Sequence, residues 1–164
     1  MVISKKLQEA MSEQVKHEIN SAYLYLSMSA YCDGEGLPGC AHWLKTQWQE
    51  EIEHATKIMQ FVNSRGGRIT LAAIDKPPSK FGTMLELFEQ VLAHERSITS
   101  KIYKLYDQAT DEKDHASAAH LQWFITEQVE EEDTASGLVE SLKMIGDHAP
   151  ALMMFDRRLS ERQG

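Results

Sequence analysis

The sequence predicts an all-α fold: an antiparallel four-helix bundle with one long crossover between the second and third helices and a short C-terminal fifth helix. Three observations carry this. Four prolines and nine glycines among 164 residues cluster at a few places, so they cut the chain into long uninterrupted segments. Those segments are rich in Leu, Met, Ala, Glu, Gln and Lys, residues that lose little on entering a helix. Apolar residues within them recur at alternating steps of three and four, the period of a helix with one buried face.

The first segment, 4–33, ends at Asp33-Gly34-Glu35-Gly36. The second, 37–65, has Pro38 at its start, where a missing N–H costs no helical hydrogen bond. Gly66-Gly67 then opens a stretch that passes Pro77-Pro78 and closes at Gly82. The third segment, 83–110, turns near Asp111-Glu112-Lys113-Asp114 into the fourth, 114–145, which stops at Gly146. The tail 148–161, with Pro150 in its first turn, predicts the fifth helix. The first and third breaks allow only tight antiparallel hairpins. The stretch from Gly66 to Gly82 is different: about 16 residues reach roughly 50 Å when extended, against about 45 Å for a helix of about 30 residues. It is long enough to run the length of the bundle, which an up-down-up-down arrangement does not require. The length suits one domain, 1–164, with the bundle at about 4–145.

Hydrophobic residues make up 42% and charged residues 26%, with a formal charge of −8. A packed core follows, and the acidic balance disfavours nucleic acid and favours cations as partners. Apolar runs fall far short of the roughly 18 residues of a membrane span, and the start of the chain lacks the apolar stretch of a secretory signal. Cys32 and Cys40 form no CxxC pattern and are expected as reduced thiols of a cytoplasmic protein.

The helical seams are each interrupted by acid. In the fourth segment the period selects Leu121, Phe124, Gln128, Glu131, Ala135, Leu138, Leu142 and Ile145. The third gives Leu85, Phe88, Leu92, Glu95, Ile98, Ile102 and Leu105; the second gives Leu44, Gln47, Glu51, His54, Ile58 and Phe61; the first gives Met11, Val15, Glu18, Ala22 and Tyr25. Glu18, Glu51, Glu95 and Glu131 lie 15 to 19 residues from their own hairpin turns, which places all four at about 22 to 29 Å along their helices. Four carboxylates therefore meet at one depth.

An unpaired buried carboxylate costs several kcal/mol, and mutual repulsion adds to that. Lys and Arg are absent from these inner positions, and a shared proton neutralises one or two groups but not four. Two divalent cations match four negative charges and leave neutral His54 to complete one ligand set. Oxygen ligands with one imidazole and no thiolate point away from structural zinc and from a pure calcium site, toward iron or manganese. Glu50 is turned about 100° from Glu51, and Glu127 and Glu130 stand to one side of Gln128 and Glu131. Together they predict a second, more exposed acidic cluster suited to cations in transit.

Glu18, Glu50-Glu51-Ile52-Glu53-His54, Glu95 and Glu127-Gln128-Val129-Glu130-Glu131, in that order, resemble the ferroxidase signature of bacterial and archaeal non-haem ferritins, over essentially the whole chain. The resemblance implies that Glu18, Glu51 and His54 hold one iron, and that Glu51 bridges to a second held by Glu95 and Glu131. It implies that Gln128 reaches a bound oxygen species or water, that Tyr25 hydrogen-bonds at the centre, and that Glu50, Glu127 and Glu130 form a third iron site. By the resemblance Trp123 would be a nearby redox-active aromatic, whereas the residue itself reads first as packing. The implied activity is oxidation of Fe(II) by O2 or H2O2, with storage of ferric oxyhydroxide in a hollow cage of 24 subunits. Bacterioferritin and the di-iron oxygenases carry a second Glu-x-x-His pair where this chain has Gln128 and Glu131, which makes the centre asymmetric. Ile52 stands where bacterioferritin has its haem methionine, so no haem is expected.

Other residues read as structural. A second Glu-x-x-His, Glu112 to His115, sits at a turn and is expected to be acidic decoration of a helix start. His17, His42, His94, His120 and His148 lack spaced partners and suit surface or packing roles. Met153-Met154-Phe155 suits docking on the bundle or a junction between subunits, and Asp111 to Asp114 the rim of a pore. Two other function classes use the same composition: a di-iron oxygenase or peroxidase, which calls for a substrate pocket and usually a second Glu-x-x-His, and a metal-free helical interaction module.

Overall fold

The computed structural model describes residues 2–164. Five helices follow in order: α1 (Lys5–Gly34), α2 (Pro38–Ser64), α3 (Met84–Asp111), α4 (His115–Ile145) and α5 (Ala149–Leu159), with no strand among the described residues. Each boundary falls within two residues of the expected one, because the sequence marks the ends chemically. Ser4 accepts from the Leu7 N–H, Asp114 from the Ser117 N–H, and Thr83 forms a reciprocal capping box with Glu86. Each satisfies an N–H that the helix itself leaves unpaired.

The N-terminus of α2 has no such local cap, since Leu37 stands at its N-cap. Asp156 of α5 supplies the acceptors: its carboxylate oxygens lie 3.0 Å from the Gly39 N and 2.7 Å from the Cys40 N. A Cβ built on Gly39 would stand 1.7 Å from the Asp156 carbonyl oxygen, so only glycine lets α5 lie this close. The anionic side chain also faces the positive end of the α2 dipole. The apolar half of α5 follows: Phe155 and Leu159 are buried, while Met153 and Met154 are exposed.

α1 pairs with α2 and α3 with α4 as hairpins, and α1 also packs on α3. The crossover between α2 and α3 runs down the outside of α1. Gln8 accepts from the Arg68 N–H, Ser12 from the Thr70 N–H and Asn20 from the Asp75 N–H. Farther along, Ser27 donates to the Pro78 carbonyl and Tyr31 to the Gly82 carbonyl. These α1 positions span about 35 Å of helix, so the link traverses nearly the whole bundle.

The core is divided. One buried cluster, around Tyr25, Met28, Trp43 and Phe88, fills one half of the bundle. Another, around Leu7, Met11, Ile58 and Ile102, fills the other. Between them lies a buried polar layer of Gln14, Glu18, Gln47, Glu51, His54, Glu95 and Gln128. The seams agree with the expected faces except at Glu131 and at helix ends, where Leu85, Phe61 and Ile145 are only partly buried. Cys32 and Cys40 are buried free thiols. Glu112 departs from expectation: it closes the C-terminus of α3 rather than opening α4, and accepts from Ser4 and Gln108. No helix among the described residues is long and apolar enough to cross a membrane.

Candidate metal centre

The polar layer is assembled by helix geometry. Glu51 and His54 are three residues apart on α2, hence on one face, and Glu18 continues the Met11, Val15 stripe of α1 opposite them. Ligand atoms of Glu18, Glu51 and His54 lie within 4.8 Å of one another, and all three residues are buried. His54 Nδ1 is 3.2 Å from Glu51 Oε2. Gln14 donates to Glu18 Oε1 at 3.1 Å, but Glu18 Oε2 is buried without a partner.

Glu95, 1% exposed, faces this trio from α3. It accepts from the Tyr25 hydroxyl and, at 3.1 Å, from Gln128 Nε2, which also reaches Thr99 Oγ1 at 3.1 Å. Glu131 accepts from Gln47 Nε2 at 2.9 Å. It is partly exposed, because it stands where the seam between α2 and α4 opens.

The charges are in tension. Burial, and then the charges of Glu18 and Glu95, push the Glu51 carboxyl well above the usual range. Burial also pushes Glu95 up to about 7, against the hydrogen bonds from Tyr25 and Gln128 that favour its anion. Glu131 is pushed up to about 7 by burial and then by the charge on Glu95. Tyr25 is driven well above its ordinary value by burial and by Glu95, so it stays a phenol and a donor. Among the described residues, His54 is the basic side chain paired with this group. A buried carboxylate oxygen without a partner, beside two more ligand atoms and a surplus of acid, fits a hard or borderline divalent cation bound by oxygen and one nitrogen.

The second acidic cluster is also in place. Glu50, Glu127 and Glu130 line one cavity of about 370 Å³ between α2 and α4, with His54 and Glu131 on its wall. Trp123 stands at its side, edge-to-face with His54 at 5.4 Å between centroids and with Lys57 Nζ 3.3 Å from its ring centre. Of the six other histidines, five have local partners: His94 bonds Ser21, His120 stacks on Phe61, His148 caps α5, His42 meets the Arg162 carbonyl and His17 approaches Glu13.

Sequence reasoning missed several participants. Gln14 sits four residues before Glu18, which it bonds, and that spacing was a usable signal; Gln47 lay on the expected seam, but its bond to Glu131 of α4 had none. Thr99, four residues after Glu95, donates to the Glu95 carbonyl for the same reason. Arg162 had no such signal. The inner positions of the helices hold no Lys or Arg, as expected, yet Arg162 enters from the tail beyond α5 and pairs with Glu50 at 2.9 Å.

Comparison with known proteins places this geometry. Residues 8–145 match the ferritin-like domain of the ferritin family. A bacterial non-heme ferritin of Bacteroides fragilis is 44% identical over 98% of this chain and 100% of its own length. One from Staphylococcus saprophyticus is 37% identical over 98% of this chain and 96% of its own. Among solved structures, an open pore ferritin from the hyperthermophilic archaeon Archaeoglobus fulgidus superposes with a TM-score of 0.98 at 47% identity, covering 99% of this chain and 100% of that one. Family match, whole-length identity and superposed backbone agree: this chain belongs to the ferritin family.

Proposed function

We propose that the protein is an iron-storing ferroxidase whose dinuclear centre lies within one subunit. The observation that carries this is the buried trio Glu18, Glu51 and His54, with an unpartnered carboxylate oxygen and with Glu95 and Glu131 beside it. Iron is substrate here. Glu18, Glu51 and His54 take one Fe(II), Glu51 bridges, and Glu95 and Glu131 take the other. Carboxyls held up near neutrality give up protons as iron arrives, so binding is coupled to proton release. Two Fe(II) supply two electrons, which with two protons reduce O2 to H2O2; with H2O2 as oxidant, the same two electrons and two protons yield two waters. The Fe(III) product is hydrolysed and kept as oxyhydroxide.

The chain's own contribution is positional. Tyr25 and Gln128 fix Glu95, Gln47 fixes Glu131 and Gln14 fixes Glu18, so the ligands are set before iron binds. Gln128 stands close enough to Glu95 to meet an oxygen species or water at the second iron. Glu50, Glu127 and Glu130 form a third iron site beside the pair, through which iron passes. Trp123 packs edge-to-face on His54 beside the centre. Storage calls for a closed shell, and 24 copies of this one domain, the ferritin arrangement, supply it. The free thiols Cys32 and Cys40 suit a reducing, cytoplasmic setting.

Stopped-flow mixing of Fe(II) with aerated buffer tests the reading. The wild-type protein gives a fast absorbance rise and a soluble amber product, and Glu51→Ala with His54→Ala abolishes the fast phase. Normal rapid oxidation in that double variant rejects it.

A further inference from the structure

The cavity lined by Glu50, Glu127 and Glu130 already contains a cation, and the chain itself provides it. Beyond the end of α5, the tail turns back over α2. His42 Nε2 meets the Arg162 carbonyl at 2.7 Å, and the guanidinium passes over the Trp43 ring at 4.5 Å from its centre. There Nη1 donates to the Trp43 carbonyl at 3.2 Å, while Nη2 donates to Gln47 Oε1 at 2.6 Å and to Glu50 Oε2 at 2.9 Å. Arg162 therefore lines the same cavity as the three glutamates. His42 anchors the Arg162 backbone, and the guanidinium is fixed by the Trp43 ring and carbonyl on one side and by Gln47 and Glu50 on the other. The charge is directed, unlike that of a surface arginine meeting an acid by chance.

We infer that Arg162 is a resident counter-charge that competes with a divalent or trivalent cation for Glu50, and so sets how tightly the third acidic site holds its ion. This rests on the proposed third iron site. The physics is substitution: with the cavity otherwise empty, the guanidinium offsets part of its repulsion, and an arriving cation must first take Glu50 from it. The device also reaches the dinuclear centre. Gln47 accepts from Arg162 through Oε1 and donates to Glu131 through Nε2. Both ends of one amide are thus engaged, and release of Arg162 frees Gln47 from one of the two partners that orient it. A site that takes iron transiently benefits from such a competitor, because a bound ion can be returned when Arg162 reclaims Glu50.

The test uses terbium(III) as probe, with emission excited through tryptophan, since Trp123 lines the cavity. Titrations of the intact, chelator-treated protein are run for wild type, Arg162→Ala, a chain ending at Glu161, and Arg162→Lys. The emission component lost in Glu127→Gln with Glu130→Gln reports the cavity. Loss of a hydrogen bond between charged groups corresponds to about tenfold in affinity. Arg162→Ala and the shortened chain therefore bind terbium at the cavity about tenfold more tightly than wild type, and Arg162→Lys falls between. Equal or weaker cavity binding in both the alanine variant and the shortened chain overturns the inference and leaves the third site standing. A lysine variant that binds as tightly as the alanine variant overturns it as well. If no emission component depends on Glu127 and Glu130 in any form, the third-site reading fails and the inference falls with it.

Discussion

Removing metal from this protein makes its stability fall as pH rises through neutrality, and the structure sets the window. Glu95 and Glu131 titrate near 7, and Glu51 well above its ordinary 4.5. A carboxyl whose folded value is raised binds more protons in the native than in the unfolded state. Its stabilisation is complete below the unfolded value and is lost as pH climbs through the folded one. The half-buried histidines act in the opposite direction, over a range that overlaps the lower edge of this window. His94 and His120, depressed to about 4 by burial, add stability only as pH rises toward their ordinary 6.5. The buried Cys32 thiol, pushed up to about 12 from 9, matters only at alkaline pH. Between about pH 6.5 and 8 the raised carboxyls dominate, with the histidines offsetting a part of their effect. Glu95 and Glu131 each contribute about 1 kcal/mol over that span, or about 2 kcal/mol per subunit for the two, and Glu51 acts in the same direction. The assay is guanidinium unfolding of chelator-treated protein across this window, beside Glu95→Gln. Wild type loses about 2 kcal/mol or more, and the variant loses less by the Glu95 share of about 1 kcal/mol. Added zinc abolishes the loss by binding the deprotonated ligands. A flat profile for wild type, or identical slopes for both proteins, refutes the electrostatic reading of the centre.

Other outcomes follow from single contacts. Glu18→Gln removes a charge whose second oxygen has no partner, so it stabilises the metal-free protein by about 1 to 3 kcal/mol while weakening zinc binding in calorimetry. Tyr25→Phe deletes the phenol that donates to Glu95; it raises the Glu95 carboxyl further and slows Fe(II) oxidation in stopped flow with helix content unchanged. Asp156→Ala leaves the α2 N-terminus without its acceptors and costs about 1 to 2 kcal/mol in denaturant unfolding. Gly39→Ala forces α5 off the bundle through the close approach to Asp156, read as a rise in exchange of α5 amides.

How much the sequence reveals depends on the range of the forces involved. Helix limits are written locally, in Ser4, Thr83, Asp114 and Pro38, and a reader of the sequence finds them. The buried faces follow from the period of three and four, which is why Glu18, Glu51 and Glu95 emerge as inward acids before any coordinates. Glu131 lies on the same period and yet is partly exposed, because period fixes direction and says nothing of how far α2 and α4 stand apart. The path of the crossover is legible in its length, whereas the row from Gln8 to Tyr31 that pins it is visible only once α1 and the link lie together. Asp156 and Arg162 are the least legible. Each acts on a helix more than a hundred positions away in sequence, with no repeat and no motif around it. Glu112 illustrates the converse error: expected to decorate the start of α4, it instead ends α3, bonded to Ser4.

The most direct measurement is anomalous diffraction from crystals of the protein soaked anaerobically in ferrous salt. Two iron peaks are predicted inside one subunit, the first bonded to Glu18, Glu51 and His54 and the second to Glu95 and Glu131, with Glu51 touching both. Maps without iron in this layer, with the four carboxylates turned toward water or paired to other side chains, contradict the account.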